Sequence, residues 1–173
     1  MNAEFLVLLG LYIVCLAART TYELFKKAGR ANLKSKVLFA IIFTAMCLMW
    51  ISWFMMCPLD PWPINLPPIV RSTGLGIFIT GWVLALGALA QLKGLEDIDH
   101  LVTSGLFSKL RHPMYTGFML WIVGWGVYNG AAVSLFAGCV GIANVLYWRW
   151  LEDTALEARY GEMYREYRKG TWF

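Results

Sequence analysis

Charge is scarce in this sequence. Of 173 residues, 15 are Lys or Arg and 11 are Asp or Glu, and 59% are hydrophobic. That balance excludes a soluble domain of this length, whose few charges could not keep so much apolar surface in solution. Histidine is scarcer still, with two residues. None of Cys15, Cys47, Cys57 and Cys139 stands in a CxxC spacing or beside a histidine, and each lies in or at the end of an apolar run. Neither a zinc centre nor a disulfide framework is expected. Glu96, Asp97 and Asp99 complete no metal-ligand set, so no metal is expected there either. There is no internal repeat of the kind that marks many transporters. Gly74 and Gly76 begin a dinucleotide-binding pattern, but residue 79 is Ile and no strand precedes, which favours helix packing instead. The net charge of +4 comes from residues beside apolar stretches and not from one exposed block, so nucleic acid is not an expected partner.

What the chain has instead is long apolar runs, enough for an all-α polytopic membrane protein folded as one membrane domain. About five transmembrane helices are predicted, near residues 3–19, 37–57, 69–92, 113–128 and 131–149. The first is read as a retained span and not a signal peptide, because no basic residue precedes it and no small-x-small cleavage site follows. Arg19 to Lys36 is expected to be a basic loop or surface helix. Trp50 and Trp53 suit an interfacial aromatic belt. Five prolines between residues 58 and 68 exclude a helix there. Gly74, Gly76, Gly81 and Gly87 would admit a close neighbouring helix, as would Ser134, Gly138 and Gly141 on one face of the last span. Asn129-Gly130 makes a short hairpin turn, Asn144 is expected to hydrogen-bond between helices, and residues 150–169 read as a polar amphipathic helix.

The basic residues orient the spans. Fourteen of the 15 Lys and Arg fall in the first loop, the third loop and the tail, leaving Arg71 alone on the other side. By the positive-inside rule the amino terminus is expected outside, with residues 93–112 and 150–173 forming a cytosolic part.

One polar stretch interrupts the apolar pattern, Asp99 to Tyr115, reading DHLVTSGLFSKLRHPMY. Polar groups stored at a membrane surface point to something polar that must be held there. Pro113 suits a first helical position, where free backbone donors and a partial positive charge, beside Arg111 and His112, favour an anion. Further on, Glu152, Leu156, Tyr160, Met163 and Tyr167 share one helical stripe, so Glu152 is expected on the inward face. Asp153, Glu157, Glu162 and Glu166 are equally readable as surface acids, Arg111 as a topology charge, His112 as a cap, and Tyr160, Tyr164 and Tyr167 as an interfacial aromatic face.

The order LVTSG at 101–105, RHPMY at 111–115, a hairpin of two spans, an acidic pair, and L-x-x-x-Y-G-x-x-Y-x-x-Y from Leu156 to Tyr167 resembles the isoprenylcysteine carboxyl methyltransferases and their phospholipid-methylating relatives. The resemblance runs over residues 91–167. It implies an integral membrane enzyme using S-adenosylmethionine, bound by His100, Leu101, Val102, Phe107, His112, Pro113, Met114, Tyr115 and Glu152. It also implies a lipophilic acceptor entering from the bilayer, such as a prenylated cysteine carboxylate or a related lipid. Two positions depart from the pattern. Phe107 stands where the family has a tyrosine, and Trp148 where it has a substrate-side arginine, which leaves Arg149, about 100° further round the helix, as the candidate for orienting the acceptor. Two other function classes fit the same architecture: an NADPH-dependent membrane reductase of the sterol-reductase kind, and a non-catalytic scaffold or transporter subunit. The methyl acceptor and the oligomeric state are not written in the sequence.

Overall fold

The computed structural model describes residues 2–32, 35–92 and 101–173. Among them the chain is built of helices, joined by single 3-10 turns at Cys57–Leu59 and Gly105–Ser108. Five long helices form the bundle: α1 (Ala3–Lys27), α2 (Lys36–Met56), α3 (Pro68–Leu92), α4 (Pro113–Asn129) and α5 (Ala132–Tyr160); a short α6 (Glu162–Lys169) follows. Four of them, α1, α2 with its trailing 3-10 turn, α3 and α5, are long and apolar enough to cross a membrane. At 17 residues, α4 is shorter, near 26 Å at 1.5 Å per residue. The protein is an all-α polytopic membrane protein.

Local chemistry sets the helix ends. Asn2 caps α1 by accepting from the Glu4 amide, and Ser35 caps α2 by accepting from Leu38. α3 opens on Pro68 and α4 on Pro113, where the missing amide hydrogen costs nothing. Gly130, at φ +64°, ends α4 in the left-handed conformation that lets the chain reverse into α5.

Glycine decides which helices touch. A Cβ on Gly74 would lie 2.9 Å from the carbonyl oxygen of Gly124, and one on Gly81 would lie 2.8 Å from that of Gly117. α3 and α4 therefore meet backbone to backbone. Gly138 instead makes room for the side chains of Ile122 and Trp53, whereas Gly76 has nothing within 4 Å and plays no part in helix contact.

Several expectations need correction. The tryptophans of α2 are not an interfacial belt: Trp53 is fully buried and Trp50 is 9% exposed. They sit in an aromatic core where the Trp50 and Trp121 rings pack edge to face at 5.0 Å and Trp82 and Trp121 lie 4.4 Å apart. The first helix does not stop at Arg19 but runs on to Lys27, which draws Arg19, Thr20 and Glu23 into the bundle. No new helix starts at 150 either. α5 continues through Tyr160 and breaks at Gly161, φ +55°, so that α6 turns back.

At one end of the bundle the proline-rich linker is clasped to the α4–α5 turn. The Asp60 carboxylate accepts from the Ser134 amide at 2.6 Å and hydroxyl at 2.7 Å, and the Ile64 amide donates to the Gly130 carbonyl at 2.7 Å. The opposite end holds residues 101–112, the last turns of α1 and α5, and α6.

Candidate functional site

Asp153 organises that opposite end. Its Oδ1 accepts from His112 Nε2 at 2.6 Å, from Arg111 Nε at 3.2 Å and from the Tyr164 hydroxyl. Arg149 Nε stands 3.5 Å from Oδ2. Arg111, His112, Asp153 and Tyr164 are all buried. Burial works to raise the Asp153 pKa, but hydrogen bonds from His112 and Tyr164 and the charges of His112 and Arg111 outweigh it and hold the carboxyl well below its usual range. An ionised carboxylate only accepts, so His112 Nε2 is assigned the proton of that bond. Burial and the neighbouring carboxylate push the Tyr164 phenol well above its ordinary value.

This hub holds the 105–112 segment in place. Arg111 also reaches the Arg168 carbonyl and the Thr171 hydroxyl, and its amide donates to the Trp172 carbonyl at 2.8 Å. The Trp172 amide returns a bond to the Lys109 carbonyl at 2.8 Å, and the Tyr167 hydroxyl donates to that of Phe107 at 2.6 Å. Phe173 closes the patch, 4.2 Å under the Arg149 guanidinium and edge-on to His112.

Sequence reasoning took Asp153 for a surface acid and Glu152 for the inward one. Asp153 is instead the buried member and Glu152 is exposed. The reason lies beyond Arg149, where α5 outruns the bundle and packs against residues 105–112 and α6, which cover the Asp153 side. Glu152 stays on the side of Val145 and Trp148, where its carboxylate accepts a hydrogen bond from the Tyr115 hydroxyl. Of the other expected residues, Leu101 and Val102 are half-buried, Phe107 is buried in its 3-10 turn, Pro113 is buried at the start of α4, and Met114 and Tyr115 pack on the aromatic core. His100 lies outside the described residues, as do Lys93, Glu96, Asp97 and Asp99. Arg149 is engaged by Asp153 and Phe173. The structure thus gathers Phe107, His112 to Tyr115, Arg149 and Glu152 at one end.

A second polar group at this end comes from α1. Arg19 pairs with Glu23 one turn on, and its guanidinium lies 5.4 Å from the ring centres of both Tyr22 and Trp148. Thr20 lies 2.8 Å from Asn144 Oδ1 and accepts from the Trp148 indole at 3.0 Å, so Asn144 bonds between helices as expected. Arg19, Glu23 and Glu152 all act electrostatically on Tyr115. Sequence reasoning missed this group because it ended the helix at Arg19. The i, i+4 spacing of Arg19 and Glu23 was the available signal.

Compared with known proteins, residues 70–163 match the family model described as phospholipid methyltransferase, a stretch that takes in nearly all of α3, all of α4 and α5, and Arg111, His112 and Asp153 of the hub. Protein-S-isoprenylcysteine O-methyltransferase of Schizosaccharomyces pombe is 27% identical over 116 residues, 58% of this chain and 47% of that protein. The Homo sapiens protein of the same name is 34% identical over 81 residues, 43% of this chain and 26% of its own length. A protein named for different chemistry also matches: the chloroplastic 15-cis-zeta-carotene isomerase of Arabidopsis thaliana is 32% identical over 72 residues, 42% of this chain and 20% of its own. The chain spans about half or less of the length of these relatives. No solved structure matches.

Proposed function

We propose, on the premise that this chain belongs to the phospholipid methyltransferase family, that it is an S-adenosylmethionine-dependent methyltransferase working at a membrane surface. Its acceptor is a lipophilic carboxylic acid, a prenylated cysteine or a related isoprenoid lipid, methylated on oxygen; the names of the matching methyltransferases support that choice. The observation that carries the reading is the meeting of the 111–115 turn with the Glu152–Asp153 pair at one end of the bundle.

The residues present fit the cofactor. Glu152 is exposed and bonds Tyr115, and the acceptor sites left on its carboxylate suit an ammonium or a pair of ribose hydroxyls. Bound there, S-adenosylmethionine supplies a methyl on a sulfonium, displaced in line by the acceptor. Asp153 fixes the His112 ring and with it the start of α4, so Pro113, Met114 and Tyr115 present one wall without reorganisation. Phe107, Leu101 and Val102 supply apolar cover that keeps water out. The Tyr115 face favours a cation. The charge asymmetry supports a cytosolic side for this end, α6 and the carboxyl terminus, with the amino terminus outside. A soluble cofactor then arrives from the cytosol and the acceptor arrives sideways through the bilayer.

Calorimetry tests this directly. The solubilised protein is expected to bind S-adenosylhomocysteine, and at 100-fold its dissociation constant that ligand should add about 2.7 kcal/mol of stability. Glu152→Ala and His112→Ala should abolish binding, and unchanged affinity in both would refute the reading. Stabilisation by NADPH but not by S-adenosylhomocysteine assigns a reductase, and no response to either a non-catalytic subunit.

A further inference from the structure

α1 is apolar along its membrane-crossing length and carries one buried ion pair near its end. Arg19 and Glu23 have side chains only 12% and 11% exposed. A buried pair of this kind adds little to stability, because desolvation of both charges offsets their attraction. Ionisable groups at membrane depth generally mark a function. Two details say which. The Arg19 guanidinium lies against the rings of Tyr22 and Trp148, and its buried Nε has no hydrogen-bond partner. A guanidinium with ring faces beside it and a donor unspent is prepared for a planar anion. Trp148, on which the guanidinium lies, precedes Glu152 by four residues on the same face of α5, so the cation stands about one helical turn from the residues assigned above to the methyl donor.

We infer that Arg19 is the acceptor-binding residue, receiving the carboxylate of the lipophilic methyl acceptor, and that Glu23 occupies the guanidinium until the acceptor arrives. The inference rests on the methyltransferase reading. A carboxylate is favoured over a phospholipid headgroup because the anion held beside Tyr115 must itself be the nucleophile. A phosphodiester in that place would put its amine a two-carbon spacer away. One acceptor oxygen faces Arg19 while the other attacks the methyl carbon; the sulfonium takes the electrons of the breaking bond and leaves as the neutral thioether, and the ester forms with no proton to move. Glu23, released, lies one helical turn before Lys27, a cation it can meet instead.

The two members of the pair therefore act on the acceptor with opposite sign, which a structural ion pair would not do. Initial rates are measured with farnesylated N-acetylcysteine and, separately, with phosphatidylethanolamine in mixed micelles. Arg19→Gln should raise KM for the farnesylated acid by about tenfold or more, as loss of a charge-assisted hydrogen bond predicts. Arg19→Lys should fall between it and the wild type, while Glu23→Gln should lower KM. All three should keep wild-type affinity for S-adenosylhomocysteine, which also reports that they are folded. Wild type that binds S-adenosylhomocysteine but methylates only the phospholipid, or neither probe, overturns the inference. So do Arg19→Gln and Glu23→Gln that shift KM in the same direction or not at all. Wild type that binds no S-adenosylhomocysteine overturns the underlying reading, and this inference with it.

Discussion

Replacing Asp153 by Ala should cost far more stability than the same change at its neighbour Glu152. Asp153 is the shared acceptor of His112, Arg111 and Tyr164, and all four residues are buried. Its removal leaves a guanidinium and an imidazole out of water with no counter-charge. Breaking a buried pair in this way typically costs about 3–5 kcal/mol, which in a chain of this size lowers the melting temperature by on the order of 10 °C. Glu152 is exposed and holds a single hydrogen bond to Tyr115, so its truncation should cost about 1 kcal/mol. The assay is thermal unfolding in detergent followed by tryptophan fluorescence, which the aromatic core makes sensitive to loss of packing. A pH series adds a second readout. The folded Asp153 pKa lies below the unfolded value of about 3.9. Its stabilisation is therefore complete above roughly pH 4 and is lost as pH falls through the folded value. Asp153→Asn should flatten that acid-side loss. Asp153→Ala melting within about 2 °C of wild type, or Glu152→Ala melting lower than Asp153→Ala, would refute the assignment of Asp153 as the structural hub.

Further outcomes follow from packing. Gly124→Ala forces a methyl against Gly74, whose carbonyl oxygen would lie 2.8 Å away, and should destabilise by about 1–3 kcal/mol in the same melt. Gly76→Ala meets nothing and should stabilise by about 0.5–1 kcal/mol, as expected for alanine in a helix interior. Tyr167→Phe removes the bond to the Phe107 carbonyl. It should cost about 1 kcal/mol and speed amide exchange between residues 105 and 111, read by mass spectrometry.

The helices were legible because hydropathy and glycine or proline punctuation act locally. Gly74 and Gly81 could be read as contact residues since a missing Cβ matters whatever the partner. What periodicity could not give was the identity of the partner. The stripe from Glu152 through Leu156 to Tyr167 assumes one unbroken helix, and it is the fold-back at Gly161 that buries Asp153 instead. Trp50 and Trp53 were misread for the same reason: a tryptophan near a helix end looks interfacial until other aromatic rings are known to surround it. Arg111 and His112 announced a site by their chemistry, but their engagement by Asp153, 41 residues beyond His112, is a tertiary fact.

The Asp60 clasp has a mechanical consequence. It pins the linker after α2 to the start of α5, while Asp153 ties the other end of α5 to the start of α4 through His112. α5 is thus fastened near both of its ends, and α4 is seamed to α3 along their glycines. A strut held at two points resists tilting. Two carboxylates standing roughly 30 Å apart along one helix therefore keep the walls of the candidate site in register.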